Sequence, residues 1–479
     1  MKLSFEKSIA GRVGTEVPAA GVKEKKINEL VDEKFLRKEL PLPELSEMDV
    51  VRHFIALSRR NFGVDNGFYP LGSCTMKYNP KINEITSSLP GFANSHPLQP
   101  EELSQGSLQL MYDLQEFLKE ITGFSAYSLQ PAAGAHGELT GIMIAKKYFE
   151  DLGEERKNVL LPDSSHGTNP ASVNMCNFNS VEIKSNERGG LGIDDLKQHV
   201  DKDTAVLMLT NPNTLGLFDE NIMEICEIVH EAGGLVYCDG ANANAILGKS
   251  KIAEMGFDIT HLNLHKSFST PHGGGGPGSG PVGVVEKLKD FLPKPVVGKK
   301  GENYFLDYDI PKSIGRMKAF YGNFGVMVRA YTYIRALGAK GIREVGENAV
   351  LNANYLKERL KKTYHLQYDR ICQHEFVLSD KNLPNEVTTI DVAKRLLDLG
   401  FHAPTIYFPL IVKGAIMIEP TETEGKETLD EFAEAMEQIA KEAKEKPECV
   451  KGAPLCTPVG RLDAVKAARE PNLNWFGRK

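Results

Sequence analysis

Lys266 ends the stretch Ile259-Thr-His-Leu-Asn-Leu-His265-Lys266, in which apolar residues run up to a His-Lys pair and the small-residue loop 273–280 follows. A lysine ammonium is costly to bury and is readily pushed toward the neutral amine, the form that bonds to aldehydes as a Schiff base. Lys266 is therefore a candidate for holding an aldehyde cofactor. Taken alone, it reads equally well as a surface lysine beside a Gly-rich turn. Other reactive residue types follow other short apolar runs. Asp239 follows Leu235–Cys238, and an acid ending an apolar strand is costly unless it meets a cation or a donor; it could hold the protonated nitrogen of a pyridine ring. His166, in the loop after Val159–Leu161, can lay its ring on a flat cofactor or simply cap its own loop. After Ser125–Leu129, the run Ala132-Ala133-Gly134-Ala135-His136 opens a helix. Small residues there expose N–H groups to an anion, so Ala133 and Gly134 are the expected phosphate donors. Asn211 lies in a polar loop after Ala205–Leu209 and is the expected contact to a ring edge. His265 is placed with the cofactor contacts, and His265 and His272 read either as acid–base groups or as structural histidines.

A phosphate cradle, a ring-stacking histidine, a polar loop, a pyridinium acid and a lysine thus follow one another at successive strand ends. The aspartate–lysine pair marks a pyridoxal 5'-phosphate site, with Lys266, His166 and Asp239 in the catalytic roles. No residue type points to a metal.

The elements that must position these groups are legible. From about Ser104 the chain alternates helices (Ser104–Thr122, Leu139–Phe149, Asn169–Cys176, Ile193–His199, Asp219–Ala232) with buried strands (the runs above, Val181–Ile183 and 280–285). This is the signature of an α/β domain with a largely parallel sheet, whose ligands sit outside the carboxyl ends of the strands. A long helical pattern over Arg316–Gly338 leads to a second, smaller α/β body: helices at Ile342–Tyr364, Thr388–Leu399 and Lys426–Lys444, strands at Glu375–Leu378 and Ala415–Ile418. The expected division is an N-terminal arm and active-site loop (1–85), a large cofactor domain (86–325), a small C-terminal domain (326–445) and a tail (446–479). The arm carries short helices at Val31–Glu39 and Glu47–Arg60 without a core of its own. In Asn66–Pro80 the Gly and Pro spacing forbids a regular element, yet Phe68, Tyr69, Cys74 and Met76 predict a buried, shaped loop. The tail, with four prolines and Trp475, is expected to wrap over a surface.

A length of 479 residues allows more than one domain, and 41% hydrophobic with 25% charged residues is ordinary for a soluble globular protein. A net charge of −7, without a basic stripe, argues against nucleic acid. Seven cysteines without a CxxC pair fit a reducing compartment. The N-terminus lacks a signal-peptide core and no apolar run spans a membrane, so a cytoplasmic location is expected.

The motifs Phe68–Lys77, Gln130–Glu138, Asp163–Ala171, Asn211–Gly216, Tyr237–Asn242, Leu262–Phe268 and Met417–Glu424 resemble the glycine decarboxylase P-protein family of the glycine cleavage system. The likeness covers nearly the whole chain but only the C-terminal, lysine-bearing half of the single-chain form. It therefore implies the second (β) subunit of the split form, the fold-type-I architecture of pyridoxal phosphate enzymes and an α2β2 assembly with a subunit 1. The implied reaction has glycine displace Lys266 and lose CO2 while the ring acts as electron sink. The aminomethyl group then passes to the lipoyl arm of the H-protein. The resemblance assigns His166 to ring stacking. It leaves the partner of the glycine carboxylate open, Arg316 and residues of the partner chain being candidates.

Three rivals remain. A cysteine desulfurase needs a mobile catalytic cysteine, and none of the seven lies in an evident lid. An aminotransferase needs a small-domain arginine, which Met417–Glu424 lacks. A non-catalytic scaffold has no need of both Asp239 and Lys266.

Overall fold

The computed structural model describes residues 1–273 and 278–473. Trp475 and most of the glycine loop (274–277), for which a hinge or close-approach role is expected, lie outside the described residues. The chain divides into two bodies, Met1–Asn66 and Gly67–Lys479. In the first, the helix Glu47–Ser58 begins with Ser46 and Asp49 in a reciprocal capping box, and Arg12 pairs with Asp49 at 2.7 Å. Val51, Phe54 and Ile55 of this helix are exposed. The helix expected over Val31–Glu39 is only a short 3-10 turn, Glu33–Phe35.

The second body is built on a seven-stranded sheet. Its strands are β1 (Ala126–Ser128), β2 (Asn158–Pro162), β3 (Asn179–Ile183), β4 (Thr204–Thr210), β5 (Leu235–Gly240), β6 (Ile259–Leu262) and β7 (Val282–Val284), in the order β1-β7-β6-β5-β4-β2-β3. The run from β3 through β2, β4 and β5 to β6 is parallel, and β7 is antiparallel to both β6 and β1. The central strands are apolar on both sides because both faces are covered. Leu207, Leu209, Val236 and Cys238 pack into one core, and Val206, Met208, Leu235 and Tyr237 into the other. Helix Glu101–Thr122 stops where Gly123 takes a left-handed conformation (φ 82°).

A hairpin of β8 (Val296–Lys300) and β9 (Asn303–Asp307) follows, which the helical and parallel-strand pattern did not predict. The long helix starts at Phe324, not Arg316, and runs to Leu360 through a kink at Gly338 (φ 62°, ψ −175°). The smaller sheet consists of β10 (His365–Leu366), β11 (Phe376–Ser379), β12 (Thr405–Ile406) and β13 (Ala415–Ile418), antiparallel in the order β10-β11-β13-β12. Its core joins Phe376, Leu378, Ile416 and Ile418 to Leu396, Phe432 and Met436 of the covering helices Thr389–Asp398 and Lys426–Glu445. Among the described residues no helix is long and apolar enough to cross a membrane.

The apolar loop near residue 70 is buried and shaped, and the small sheet shapes it. Phe68 enters the small core edge-on to Phe432, 5.0 Å between centroids. Leu71 bridges Ile418, and a Cβ on Gly72 would lie 2.2 Å from Met417 Cγ. The loop ends at Lys77, whose side chain is fully buried. Its Nζ lies 2.7 Å from Glu422 and donates to Asn244 Oδ1 (2.9 Å), the Ser267 carbonyl (2.9 Å) and Tyr333 Oη (3.1 Å). Removing one partner of a buried ion pair strands the other charge. Glu422→Ala is expected to cost about 3–5 kcal/mol in urea unfolding, and Lys77→Met/Glu422→Ala less than Glu422→Ala alone.

Candidate active site

The sheet brings the sequence-predicted groups to one edge. Asp239 lies in β5, opposite His261 of β6, and Lys266 sits in the turn just after β6, with its N–H bonded to Asn263 O. The Asp239 carboxylate is buried. Its Oδ1 accepts from Ala241 N (3.0 Å) and lies 3.4 Å from His261 Nε2, and its Oδ2 accepts from Asn169 Nδ2 (3.2 Å). His261 is oriented in turn by Tyr237 Oη, 2.8 Å from Nδ1. Burial works to raise the Asp239 carboxyl, but His261, the Ala241 N–H, Lys266 and Asn169 outweigh it and hold the group below its ordinary range.

Asn169 Nδ2 also donates to Glu138 Oε2 (2.8 Å). Burial first, and then the Asp239 charge, push Glu138 up to about 8. The two acids therefore divide the work: Asp239 is ionised and Glu138 carries a proton. Glu138, Asn169 and His261 had no role in the sequence reading. Asn169 was legible only as a helix residue within the Asp163–Ala171 motif, and Glu138 only as the last residue of the Gln130–Glu138 motif.

Helix Gly134–Asp151 begins directly at the predicted phosphate cradle, with Ala133 as its N-cap. Gly134 is needed for close approach, since a Cβ there would lie 2.7 Å from Asn263 Nδ2. A Cβ on Gly280 would lie 2.0 Å from Ala133 O. Ala132 N donates to His136 Nδ1 (3.2 Å), so the first-turn N–H groups after it remain for an anion. His166 follows β2, its side chain exposed and its Nδ1 accepting from Thr168 N at 3.2 Å. Asn211 Oδ1 accepts from Asp219 N (2.9 Å), whereas its buried Nδ2 has no partner among the described residues. An orphaned buried donor at a strand end, an ionised acid, a lysine and a helix start fit pyridoxal phosphate.

His265 contacts Ser279 N (3.3 Å) and Asn263 Nδ2 (3.4 Å) and meets His272 edge-on at 5.0 Å. Burial, reinforced by Lys266, pushes His265 down to about 3 and His272 to about 4, so both rings are neutral. Arg316, a sequence candidate for a substrate carboxylate, is exposed and bonds Ala319 O (3.3 Å).

The missed half of the site comes from the small sheet. Lys266 Nζ donates to the Ser73 carbonyl (2.8 Å). The turn carrying that carbonyl is gripped by Glu375, next to β11, and Glu419, next to β13. Cys74 lies in this turn, and burial raises its thiol to about 11 despite the opposing charge of Lys266. It is thus protonated and a poor nucleophile, against a desulfurase reading.

Comparisons with known proteins agree with this geometry. Residues 138–278 match a family model described as aminotransferase class-V, and residues 345–452 one described as glycine dehydrogenase, C-terminal domain. The chain is 60% identical over 476 residues to a probable glycine dehydrogenase (decarboxylating) subunit 2 of Caldanaerobacter subterraneus subsp. tengcongensis, covering 99% of this chain and 98% of that protein. The chain belongs to the glycine dehydrogenase (decarboxylating) subunit 2 family. Its fold is that of the fold-type-I class. A crystal structure of an inhibitor-bound glycine decarboxylase (P-protein) of the glycine cleavage system superposes with a TM-score of 0.74 at 20% identity, over 86% of this chain and 94% of the other. A cysteine desulfurase from Thermococcus onnurineus NA1 gives 0.61 at 16% identity, over 81% and 96%. At these identities the superpositions speak to the fold alone, so the choice within the class rests on the family and on the site.

Protonated Glu138 gives a pH test. Its folded value lies above the unfolded one, so the folded state holds an extra proton between about pH 4.5 and 8 and loses stability as pH rises through that window. Glu138→Gln is expected to remove this slope, up to about 1.4 kcal/mol per pH unit, in urea unfolding between pH 5 and 9.

Proposed function

We propose that this chain, with pyridoxal phosphate, decarboxylates glycine and transfers the remaining aminomethyl group to the lipoyl arm of an H-protein. The activity is that of glycine dehydrogenase (aminomethyl-transferring, decarboxylating) in the glycine cleavage system. The overall change takes glycine, a lipoyl disulfide and a proton to CO2 and an S-aminomethyl-dihydrolipoyl arm. The observation that carries this reading is the pairing of Asp239 and Lys266 at neighbouring strand ends in a chain of this family.

Bound there, the cofactor would supply an electron sink for the pair left on the α-carbon when CO2 departs. The chain's own residues set the conditions. Asp239, ionised and fixed by three partners, holds a proton on the ring nitrogen. His166 offers an exposed flat face. The start of helix Gly134–Asp151, with Ala133 and Gly134, would hold the phosphate, and Asn211 Nδ2 would donate to the ring edge. Lys266 would hold the aldehyde group of the cofactor. The neutral imidazoles of His265 and His272 add no positive charge beside Lys266.

The family name "subunit 2" implies a subunit 1, and an α2β2 assembly is the arrangement we infer. The exposed apolar side chains of residues 1–66 support an arm that packs on another chain. Seven free thiols support a reducing, cytoplasmic setting. The domain division we infer places the cofactor groups in 86–325 and the acids that face Lys266 in 326–445.

With subunit 1 and lipoylated H-protein present, carboxyl-labelled glycine is expected to release labelled CO2, and absence of release overturns the assignment. Lys266→Ala is expected to abolish borohydride trapping of the cofactor on the chain. Asp239→Asn is expected to lower CO2 release by on the order of 10²–10³-fold.

A further inference from the structure

The turn Ser73–Thr75 is held in an unfavourable backbone conformation by two buried acids that the reaction as written does not use. Ser73 (φ 57°) and Thr75 (φ 46°) both occupy the left-handed region, which is a marked outlier for a β-branched residue. Five hydrogen bonds keep them there. Glu375 accepts from Ser73 N (2.5 Å) and Ser73 Oγ (2.7 Å). Glu419 accepts from Cys74 N (3.0 Å), Thr75 N (2.8 Å) and Thr75 Oγ1 (2.5 Å). Both carboxyls are buried, as is His374, and one ligating atom from each of the three lies within 4.8 Å of the others. His374 has no hydrogen-bond partner on either nitrogen among the described residues. The acid pair is electrostatically coupled to the reactive lysine: burial raises both groups, Glu419 to about 7, and Lys266 opposes the rise in each. The product of this construction is one aimed atom, the Ser73 carbonyl oxygen, 2.8 Å from Lys266 Nζ.

We propose that Glu375 and Glu419 are positioning residues, which fix the Ser73–Thr75 turn so that the Ser73 carbonyl is the seat of the Lys266 amine whenever that nitrogen is not bonded to cofactor. The inference rests on the reading of Lys266 as the cofactor-bonding lysine. It assigns a purpose to the strained turn: when glycine takes over the aldehyde carbon, the displaced lysine must go somewhere polar inside a largely buried site. A carbonyl aimed at it favours the displaced state and keeps the amine within reach for return. Backbone strain alone would relax that carbonyl away, and the two acids prevent this.

The seat acts on the exchange between lysine and glycine, not on cofactor capture, and the test separates the two. Chain loaded with pyridoxal phosphate in the presence of subunit 1 is titrated with glycine and followed by the cofactor's visible absorption, with borohydride trapping and peptide mapping to locate the cofactor. Thr75→Val and Glu419→Ala are expected to raise the half-saturating glycine concentration about tenfold or more, the worth of one to two hydrogen bonds. Cofactor incorporation at Lys266 stays intact, and KM rises more than kcat falls. Thr75→Ser and Glu419→Gln, which keep the hydroxyl bond or an acceptor for the two N–H groups, are expected to stay near the parent value. Unchanged glycine response in Thr75→Val overturns the proposal even if Glu419→Ala does not fold. So does Glu419→Gln behaving as badly as Glu419→Ala. Cofactor trapped on a lysine other than Lys266, or a parent chain with no spectral response to glycine, instead overturns the underlying functional reading.

Discussion

Burying the Asp239 carboxylate as an ion is the constraint on which the site depends. An unpaired carboxylate in the interior costs several kcal/mol even after relaxation, so its partners must be in place before it can remain ionised. They come from three places: Asn169 from the helix after β2, Ala241 N–H from the turn after β5, and His261 from β6. The pairing of Asp239 opposite His261 is a statement of register. A slip of one residue would turn His261 to the other face of the sheet and leave the acid without its imidazole. The same register carries the chain on to Lys266 within one turn of the strand end, so the interaction that keeps the acid ionised also delivers the lysine beside it.

Lys266 is, in turn, the cation around which four buried acids are arranged. Asp239 and Glu138 approach from the large sheet, Glu375 and Glu419 from the small one, and the charge of Lys266 lowers every one of them. Burial works to raise all four, and only Asp239, held by His261, the Ala241 N–H and Asn169, ends below its ordinary value. One dependable negative charge therefore stands at the end of β5, and the other acids serve largely as hydrogen-bonding groups. The small domain is thus not an accessory to the site. It provides the side of the site that faces the lysine's free position.

How much of this the sequence carried depends on the range of the interaction. Strands β2, β4, β5 and β6 were legible because both of their faces are covered, which makes them continuous apolar runs, and Asp239, His166 and Lys266 were legible because they end or follow such runs. Asn211 and the Ala133–Gly134 helix start were legible for the same reason. The hairpin β8–β9 was not, because Val296–Lys300 and Asn303–Asp307 are short and half polar. Glu375 and Glu419 were invisible as site residues. Nothing near them in the chain distinguishes a glutamate flanking a buried strand from one in solvent, and their partners lie about 300 residues away along the chain. Arg316 shows the complementary case: a lone arginine carries no sign of which way it faces, and this one is exposed.

Two lysines approach the same few residues, and their surroundings set very different costs on freeing the amine. Lys77 Nζ has a carboxylate at 2.7 Å and three further oxygens. Burial would lower its pKa, but Glu422 and Tyr333 more than reverse this, so it is a fixed cation. To act as an amine it would have to give up an ion pair whose rupture costs about 3–5 kcal/mol. The Lys266 side chain has a single hydrogen bond among the described residues, to the neutral Ser73 carbonyl. Leaving that bond strands no opposite charge, so the Lys266 amine can be freed at a cost near that of one hydrogen bond. The two are physically joined, since Lys77 donates to the carbonyl of Ser267, the residue after Lys266. Lys77 thus anchors the backbone that carries Lys266.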